Sequence, residues 1–341
     1  AGKTNILEGV SLLGPGRGLR TARLDELPRF KGAGGWAISA RLFDGEDERA
    51  LGVGVDASRP DRRVCRIDES AASGPSAFAD HMRMLWLTPA MDRLFMEGAS
   101  ERRRFLDRMT LAHHTTHGKR ASHYEQAMRQ RQRLLEDGAR DDAWLSALER
   151  QMAEAGADIE RARLSMIDTL TAQSVADALN AFPAADISLE SGFGELASRI
   201  KTDDAIEAIA THLCAHRRRD AEAGRALTGP HRSDLIVHHR QKSMPARKCS
   251  TGEQKALLIG LVLANARAHT ENSSCARLIL LLDEIAAHLD PDRRASLFEI
   301  LDSLGVQCFL TGTDAALFSA WGSNAQHFKA QDGRLLETNP C

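Results

Sequence analysis

The segment Leu278-Ile279-Leu280-Leu281-Leu282-Asp283-Glu284 decides the fold of this chain. An unbroken aliphatic run that is apolar toward both faces of a sheet is typical of a central parallel strand with helices on both sides. The strand ends in two adjacent carboxylates, Asp283 and Glu284.

A second segment, Ser250-Thr251-Gly252-Glu253-Gln254-Lys255, opens a helical run upstream of that strand. Small residues at a helix start leave backbone N–H groups accessible to an anion. Ser250 followed by Glu253 also fits a capping box, in which the two side chains satisfy each other's backbone donors. The two interpretations are compatible, and both predict that a helix begins here.

The first residues of the chain, Ala1-Gly2-Lys3-Thr4-Asn5, read as the second half of a phosphate-binding loop, G-x-x-x-x-G-K-[ST]. In such a loop backbone N–H groups cradle phosphates, the lysine reaches their oxygens, and the Thr hydroxyl ligates Mg²⁺. The first glycine of the loop and the strand before it are absent, which we interpret as a truncated chain. Gly-Lys-Thr alone is a weak signal, and the amphipathic run after it and the distant carboxylate strand strengthen it.

The composition excludes several classes of protein. The chain has 341 residues and a formal net charge of -2, so no global field marks a nucleic-acid binder. Its six cysteines form no C-x-x-C pair, which favours reduced thiols in a cytoplasmic protein over a disulfide framework or a zinc site. No apolar run approaches about eighteen residues, so no membrane-spanning helix is expected.

The period of the apolar pattern changes twice along the chain. Short strands that include Trp36 to Phe43 and Met84 to Thr88 predict an antiparallel subsheet after a first helix. Helical spacing then predicts an inserted helical lobe, with one long helical stretch from Asp141 to Ala181, before strand and helix alternate again. We therefore predict an α/β fold with a mixed sheet: residues 1–90 and 234–341 form lobe I, residues 91–233 form helical lobe II, and the helix near 250–270 lies at the boundary.

The carboxylates after the central strand are the candidate catalytic residues. Asp283 can hold Mg²⁺ through water opposite Thr4, and Glu284 can polarise an attacking water as general base. An isolated apolar run ending in Asp-Glu would more often be an ordinary strand end, but the Gly2-Lys3-Thr4 segment and Leu289-Asp290-Pro291 make that alternative much weaker. The second helix start at Ser250 suggests contact with the γ-phosphate of a nucleotide bound by another copy.

Two stretches, residues 99–134 and 216–248, contain many more basic than acidic residues. Basic residues on one surface neutralise phosphates and give salt-dependent binding without sequence preference, although a solvated helix face with ion pairs is the stronger interpretation unless a family resemblance favours DNA contact. Because aromatic residues such as Tyr124 are few in these stretches, duplex backbone contact is favoured over base stacking. The candidate DNA contacts are Arg102, Arg103, Arg104, Lys119, Arg120, Arg129 and Arg131.

Together the motifs resemble the ATP-binding-cassette ATPases of the SMC and Rad50 type, and more closely the RecF family of DNA replication and repair proteins. The arginine triplet followed by Phe-Leu-Asp and the Gly-Pro-His-Arg segment are specific to that family. The matching stretches span nearly the whole chain: Gly2–Glu8, Ser11–Arg20, Leu87–Pro89, Arg102–Asp107, Gly229–Asp234, Ser250–Leu257 and Leu281–Asp290.

The resemblance implies an ABC-type P-loop ATPase head with an inserted helical lobe, and a role for each matching residue. Asp283 and Glu284 would be the Walker B and catalytic carboxylates, and Thr4 and Asp283 would hold Mg²⁺. The signature segment, Ser250 to Gly252, would act on the nucleotide of the opposite copy. The implied ATP contacts are Gly2, Lys3, Thr4, Asn5, Ser250, Thr251, Gly252, Glu253, Asp290 and Thr311.

Two departures from the superfamily pattern predict slow hydrolysis, which suits a switch better than a pump. Thr311-Gly312-Thr313-Asp314 stands where transporters carry a switch histidine, so Thr311 or Thr313 would sense the γ-phosphate. Thr251 stands where a glycine is common.

The resemblance implies an ATP-dependent homodimer that binds gapped DNA or single-strand/double-strand junctions and helps load recombinase with the RecO and RecR mediators. In such a dimer each nucleotide pocket would be formed by both copies, which requires an accessible Gly252. The alternatives are a transporter's nucleotide-binding subunit, which would need a membrane partner, and an SMC-like structural clamp, which would need long heptad arms. A further alternative is that this chain, with half a phosphate loop, does not bind ATP.

Overall fold

The computed structural model of the chain describes residues 2–29, 32, 34–43, 47–138, 141–175, 181–272, 277–331 and 333–338. The chain divides into two compact units. Unit 1 comprises Ala1–Asp92, Ala178–Phe182 and Val262–Cys341, and unit 2 comprises Arg93–Asp177 and Pro183–Leu261.

The helices and strands follow one another along both units. The helices are α1 (Lys3–Ser11), α2 (Ala99–His113), α3 (His117–Glu136), α4 (Asp142–Val175), α5 (Ala205–Ala215), α6 (Arg217–Ala223), α7 (Thr251–Glu271) and α8 (Pro291–Leu304). The strands are β1 (Trp36–Phe43), β2 (Glu48–Val55), β3 (Arg63–Ile67), β4 (Ser70–Ala71), β5 (Met82–Leu87), β6 (Ala185–Glu190), β7 (Asp234–His239), β8 (Met244–Pro245), β9 (Arg277–Leu282), β10 (Gln307–Leu310), β11 (His327–Gln331) and β12 (Arg334–Thr338).

The core of unit 1 is a parallel sheet with strand order β10-β9-β5. Leu282, the last residue of β9, lies opposite Leu87 on one side and Leu310 on the other. Leu278 to Leu282 are all buried, as expected for a strand covered on both faces. The prediction of a central parallel strand is confirmed.

The antiparallel subsheet consists of β1-β2-β3-β4, in that order. Along β1 the side chains alternate between half-buried and exposed, as the sequence pattern predicts. The run from Met84 to Thr88 was grouped with this subsheet, and that prediction is wrong, because β5 pairs in parallel with β9 instead. Every residue of β5 is buried, a pattern that a solvent-facing antiparallel strand does not show.

Helix α1 packs its apolar face into the core of unit 1. Leu7 of α1 is buried there with Met84 of β5 and Leu281 of β9, as are Leu12 and Leu13 directly after the helix. This packing fixes the start of α1 relative to the parallel sheet.

Unit 2 is built mainly from helices that surround α4, which is 34 residues long. Its core includes Tyr124, Met152, Ile159 and Ile209. The long helix predicted from Asp141 to Ala181 is present as α4, while residues 176–180 lie outside the described part of the chain.

Unit 2 also contains a small antiparallel sheet in the order β6-β7-β8. Residues 234–261, which the sequence analysis assigned to the ATPase lobe, cluster in the structure with unit 2. The functional division of the chain into two lobes stays a prediction.

Cys65, Cys214, Cys249 and Cys308 are free thiols, and Cys275 and Cys341 lie outside the described residues. Within the described ranges, no helix combines the length and the apolarity needed to cross a bilayer.

Candidate functional site

Asp283 is the centre of a hydrogen-bonded cluster at the carboxyl edge of the parallel sheet. Its Oδ1 accepts a hydrogen bond from Thr311 Oγ1 at 2.6 Å and one from Thr4 Oγ1 at 3.2 Å. Three elements meet here, because Asp283 follows β9, Thr311 follows β10, and Thr4 lies in the first turn of α1. The structure thus brings together the threonine and the aspartate that the sequence analysis paired across 279 positions.

The Asp283 carboxylate has no cationic side chain as a partner among the described residues. Asp283 is only 4% exposed, and both of its described side-chain partners are neutral hydroxyls. Among the described residues it makes no ion pair. A buried carboxylate without a cationic partner is costly, so this position is suited to receive a cation with a ligand.

Glu284, the next residue, has a backbone φ of 55°, in the left-handed region. Its N–H donates to Thr311 O at 3.2 Å and to Thr311 Oγ1 at 3.1 Å. A non-glycine residue held in this region costs on the order of 1–3 kcal/mol and is typical of functional sites. Thr311, predicted to sense a γ-phosphate, therefore contacts both catalytic candidates.

The start of α1 is open to an anion. Gly2 is its N-cap with φ 107°, and no side chain caps the helix. A Cβ placed on Gly2 would have nothing within 4 Å. Lys3 and Thr4 follow in the first turn, where no acidic residue lies. Uncapped N–H groups beside a lysine are the arrangement that binds phosphate.

The loop after α1 is held by Glu8, whose role the sequence analysis missed. Glu8 is buried, and its Oε2 accepts from the Arg20 N–H at 2.8 Å. Gly18 has a φ of 79°, and a Cβ on it would lie 2.7 Å from Glu8 Oε1, so this position favours glycine. Burial raises the pKa of Glu8, although the Arg20 N–H opposes that shift. Arg20 Nη1 also donates to Asn5 Oδ1 at 3.0 Å, which ties this loop to the start of α1.

The signature segment forms the predicted capping box. The Ser250 N–H and Oγ each donate to Glu253 Oε2 at 3.0 Å, and the Glu253 N–H donates to Ser250 Oγ at 3.4 Å. Lys242 pairs with the same carboxylate. Lys242, followed by the Ser250 N–H and hydroxyl, lowers the pKa of Glu253 to about 2.

Gly252 is exposed, and a Cβ placed on it would have nothing within 4 Å. Ser250 and Thr251 are exposed as well. The described part of unit 2 therefore leaves the signature segment accessible to a ligand, as a composite pocket requires. Asp290 is also exposed, and its Oδ1 caps α8 by accepting from the Arg293 N–H at 2.9 Å.

Arg131 is not a DNA contact, and that prediction is wrong. Its side chain is 1% exposed and pairs with Glu149 Oε1 at 3.0 Å and Asp220 Oδ2 at 2.7 Å. It also donates to Leu213 O at 2.8 Å. All its donors face the interior of unit 2, so no phosphate can reach them.

Arg102 and Arg103 are half-buried and bound within unit 2. Arg102 makes a two-pronged pair with Asp234, at 2.8 and 2.6 Å, and Arg103 donates to Ser233 O at 2.8 Å. The charge of Arg102 is thereby neutralised. The other candidate DNA contacts are exposed, namely Arg104, Lys119, Arg120 and Arg129.

A second buried network in unit 2 was not found from the sequence. Asp107 accepts from Arg163 at 2.8 and 2.9 Å and bonds to His117 Nε2 at 2.8 Å. Burial opposes ionisation of Asp107, but His117 and Arg163 outweigh it and lower its pKa to about 2. His117 therefore serves as a hydrogen-bond partner of a carboxylate inside unit 2.

Comparison with solved structures shows the class of fold. A structure described as the recombination mediator protein RecF with ATP in the RecFOR pathway aligns with a TM-score of 0.81 and 21% identity, over 99% of this chain and 90% of that one. The Smc head domain of Pyrococcus furiosus aligns with a TM-score of 0.50 and 15% identity, over 99% and 87%. The fold is that of an ABC-type ATPase head of the RecF and Smc kind.

Comparison of sequences shows the family. The RecF protein of Rhizobium johnstonii is 49% identical over 339 residues, 99% of this chain and 90% of that protein. The RecF protein of Brucella abortus is 52% identical over 348 residues, 98% of this chain and 87% of that protein. Residues 99–311 also match a family described as "AAA domain, putative AbiEii toxin, Type IV TA system". The chain belongs to the RecF family of DNA replication and repair proteins, and the transporter and clamp alternatives are not favoured.

Proposed function

We propose that the chain is an ATP-dependent DNA-binding protein of DNA replication and recombinational repair that acts in the cytoplasm. The cluster of Thr4, Asp283 and Thr311 carries the proposal, because it joins three segments distant in sequence at the edge where an ATPase of this fold would hold nucleotide. Similarity to RecF proteins of DNA replication and repair, and to a solved structure of RecF with ATP, supports it.

The residues of this cluster fit ATP with Mg²⁺. No group of three or more His, Cys, Asp or Glu in the described residues could hold a metal by itself. Mg²⁺ in nucleotide sites typically takes one or two carboxylates and completes its shell with water and phosphate oxygens, so Asp283 and the Thr4 hydroxyl suffice. When bound, Mg²⁺ neutralises the charge of the phosphates. Lys3 and the uncapped N–H groups of α1 would hold the phosphates.

Glu284 is the proposed general base, and Thr311 is its positioning residue. The Thr311 hydroxyl and carbonyl fix the backbone of Glu284, and the same hydroxyl binds Asp283. A threonine in place of a switch histidine has no ring nitrogen for proton transfer, which is consistent with slow hydrolysis.

Two copies would share each nucleotide, with the exposed signature segment of one copy meeting the phosphates held by the other. Because ATP would then bind the dimer more tightly than the monomer, nucleotide occupancy drives association. Hydrolysis would release the DNA.

Light scattering on size-separated samples tests this dimer. ATP with Mg²⁺ should convert monomer to dimer, and Glu284→Gln should prolong the dimer because binding persists while hydrolysis stops. Gly252→Arg is the matched control: the space around Gly252 is open, so the fold should persist, while the added side chain blocks the opposite copy. A Glu284→Gln protein that binds ATP but stays monomeric would contradict the composite site.

The proposed DNA surface consists of Arg104, Lys119, Arg120 and Arg129 on α2 and α3. The proposed target is gapped DNA or single-strand/double-strand junctions, and the proposed partners are the RecO and RecR mediators, consistent with the RecFOR pathway named for the solved RecF structures. Charge reversal at Arg102 or Arg103 would break internal contacts and cannot test this surface cleanly.

The DNA surface is tested by the double variant Arg104→Glu, Lys119→Glu. Its affinity for junction DNA should fall, and the slope of log affinity against log salt should flatten by about 2 because two phosphate contacts are lost. Lys201→Glu, 65% exposed and elsewhere in unit 2, should leave the slope unchanged. An unchanged slope in the double variant would remove these residues from the DNA surface.

A further inference from the structure

A groove in unit 2 lies along one edge of β7. Its volume is about 690 Å³, and it is lined by the start of α2, by β7 and by the turn after β8. Strand β6 pairs with all of β7, whereas β8 pairs only with His238 and His239. Among the described strands, residues 234–237 therefore have a partner on one side only.

The groove lies where a longer β8 would continue its pairing with β7. Strand β8 is antiparallel to β7 and ends at Pro245, opposite His238. Proline lacks the N–H that continues a ladder, and the chain turns into the short helix Ala246–Lys248. An added antiparallel strand could extend the line of β8 along residues 234–237, a length of about 13 Å.

The two ends of this groove carry opposite charge. Glu97 and Glu190 line the end at Asp234, because Glu190 lies opposite Asp234 in the sheet. Arg247 and Lys248 follow β8 at the other end. These four charged side chains are exposed and make no ion pair within the described residues.

The wall between the charged ends is partly apolar. Met96 is 57% exposed although it is apolar, and Ile236 is half-buried in the same groove. A free strand edge beside apolar surface is the arrangement that accepts an extended peptide, with main-chain hydrogen bonds for affinity and alternate side chains for specificity.

We propose that this groove docks an extended segment of a partner protein as an antiparallel strand on β7. The antiparallel direction sets the N-terminal end of the segment beside Arg247 and Lys248, so that end carries acidic residues. The C-terminal end lies beside Glu97 and Glu190 and carries basic residues. The backbone of a nucleic acid is anionic throughout, so it complements the basic end of the groove and is repelled by the acidic end. A polypeptide with one acidic and one basic end complements both.

Fluorescence anisotropy with a matched pair of labelled peptides tests the proposal on the full chain without nucleotide. The first peptide is Asp-Asp-Ile-Thr-Val-Thr-Lys-Lys, and the second exchanges its charged ends. The first should bind with a dissociation constant below about 100 μM, and the second at least about tenfold more weakly. Replacing the central Val by Pro should abolish binding of the first peptide, because Pro removes a ladder donor.

The double variant Arg247→Glu, Lys248→Glu should reverse the preference between the two peptides. Both residues are exposed, so the fold should persist, and a thermal unfolding curve checks this. Arg218→Glu, 93% exposed in the same unit, is the control that should leave both affinities unchanged. Hydrogen exchange of residues 234–237 should slow when the first peptide is bound.

Three results would overturn the proposal: equal binding of the two peptides, no binding of either at millimolar concentration, or unchanged exchange over residues 234–237. A double variant that loses affinity for a short DNA duplex, with peptide preference unaltered, would instead assign Arg247 and Lys248 to the nucleic-acid surface. Peptide docking needs no nucleotide, so its outcome is independent of the ATP-driven dimer.

Discussion

Two buried carboxylates of unit 2 and one of unit 1 have opposite kinds of partner. In unit 2, Glu149 and Asp220 both receive the guanidinium of Arg131. In unit 1, Asp283 is as deeply buried, but its described side-chain partners are the hydroxyls of Thr4 and Thr311. Removing a charge from water is costly unless another charge compensates it. The paired carboxylates therefore stabilise the fold, whereas Asp283 has no ionic partner among the described residues, as the proposed Mg²⁺ site requires.

Breaking the buried ion pairs of Arg131 should have the largest effect on stability. Arg131→Ala leaves the buried Asp220 without its cationic partner, while Glu149 keeps Arg217, and we expect a loss of about 3–5 kcal/mol in the free energy of unfolding. Urea unfolding measures it. Arg129→Ala, on the exposed side of α3, should change stability by less than about 0.5 kcal/mol. Equal losses in both variants would show that Arg131 does not compensate a buried charge.

Replacing Asp107 should have an intermediate effect on the free energy of unfolding, and that effect should depend on pH. Its pKa is lowered to about 2 in the folded chain. A lowered carboxylate pKa stabilises the fold above the unfolded value near 4, and this stabilisation is lost as the pH falls through the folded value. Asp107→Asn should therefore cost about 2 kcal/mol at neutral pH and about half as much at pH 3.

Unfolding of wild-type chain and Asp107→Asn at the two pH values measures this difference. A loss that is the same at both would mean that the carboxylate acts through its shape or neutral hydrogen bonds rather than through its charge.

Removing the uncompensated charge should have the smallest effect on the free chain. Asp283→Asn keeps an acceptor for both hydroxyls and eliminates a buried charge, so the free energy of unfolding should change by less than about 1 kcal/mol. The same change should abolish the Mg²⁺ dependence of ATP binding, which titration calorimetry measures. A stability loss as large as that of Arg131→Ala would remove the distinction between the two kinds of carboxylate.

Local patterns in the sequence were sufficient for the central strand, for α1 and for the capping box at Ser250. The contact between Thr4 and Asp283 could also be predicted, because the threonine of a phosphate-binding loop and the carboxylate after the central strand are expected to share one Mg²⁺ site. The parallel pairing of β5 could not, since its partner β9 lies far along the chain and the run of β5 fits either kind of sheet.

The burial of Arg131 could have been predicted from the sequence. It follows Tyr124 and Ala127 at helical spacing, and all three lie on the buried face of α3. A basic residue on an apolar face is more often neutralised inside than exposed to DNA. The identities of Glu149 and Asp220 were not predictable, because α4 and α6 supply them from separate stretches of chain.

The left-handed backbone of Glu284 has a consequence for protein engineering. Glycine adopts this conformation freely, so a screen that selects only for heat resistance would reward its introduction at 284 and discard the proposed base. Attempts to make this chain more robust should leave that position untouched.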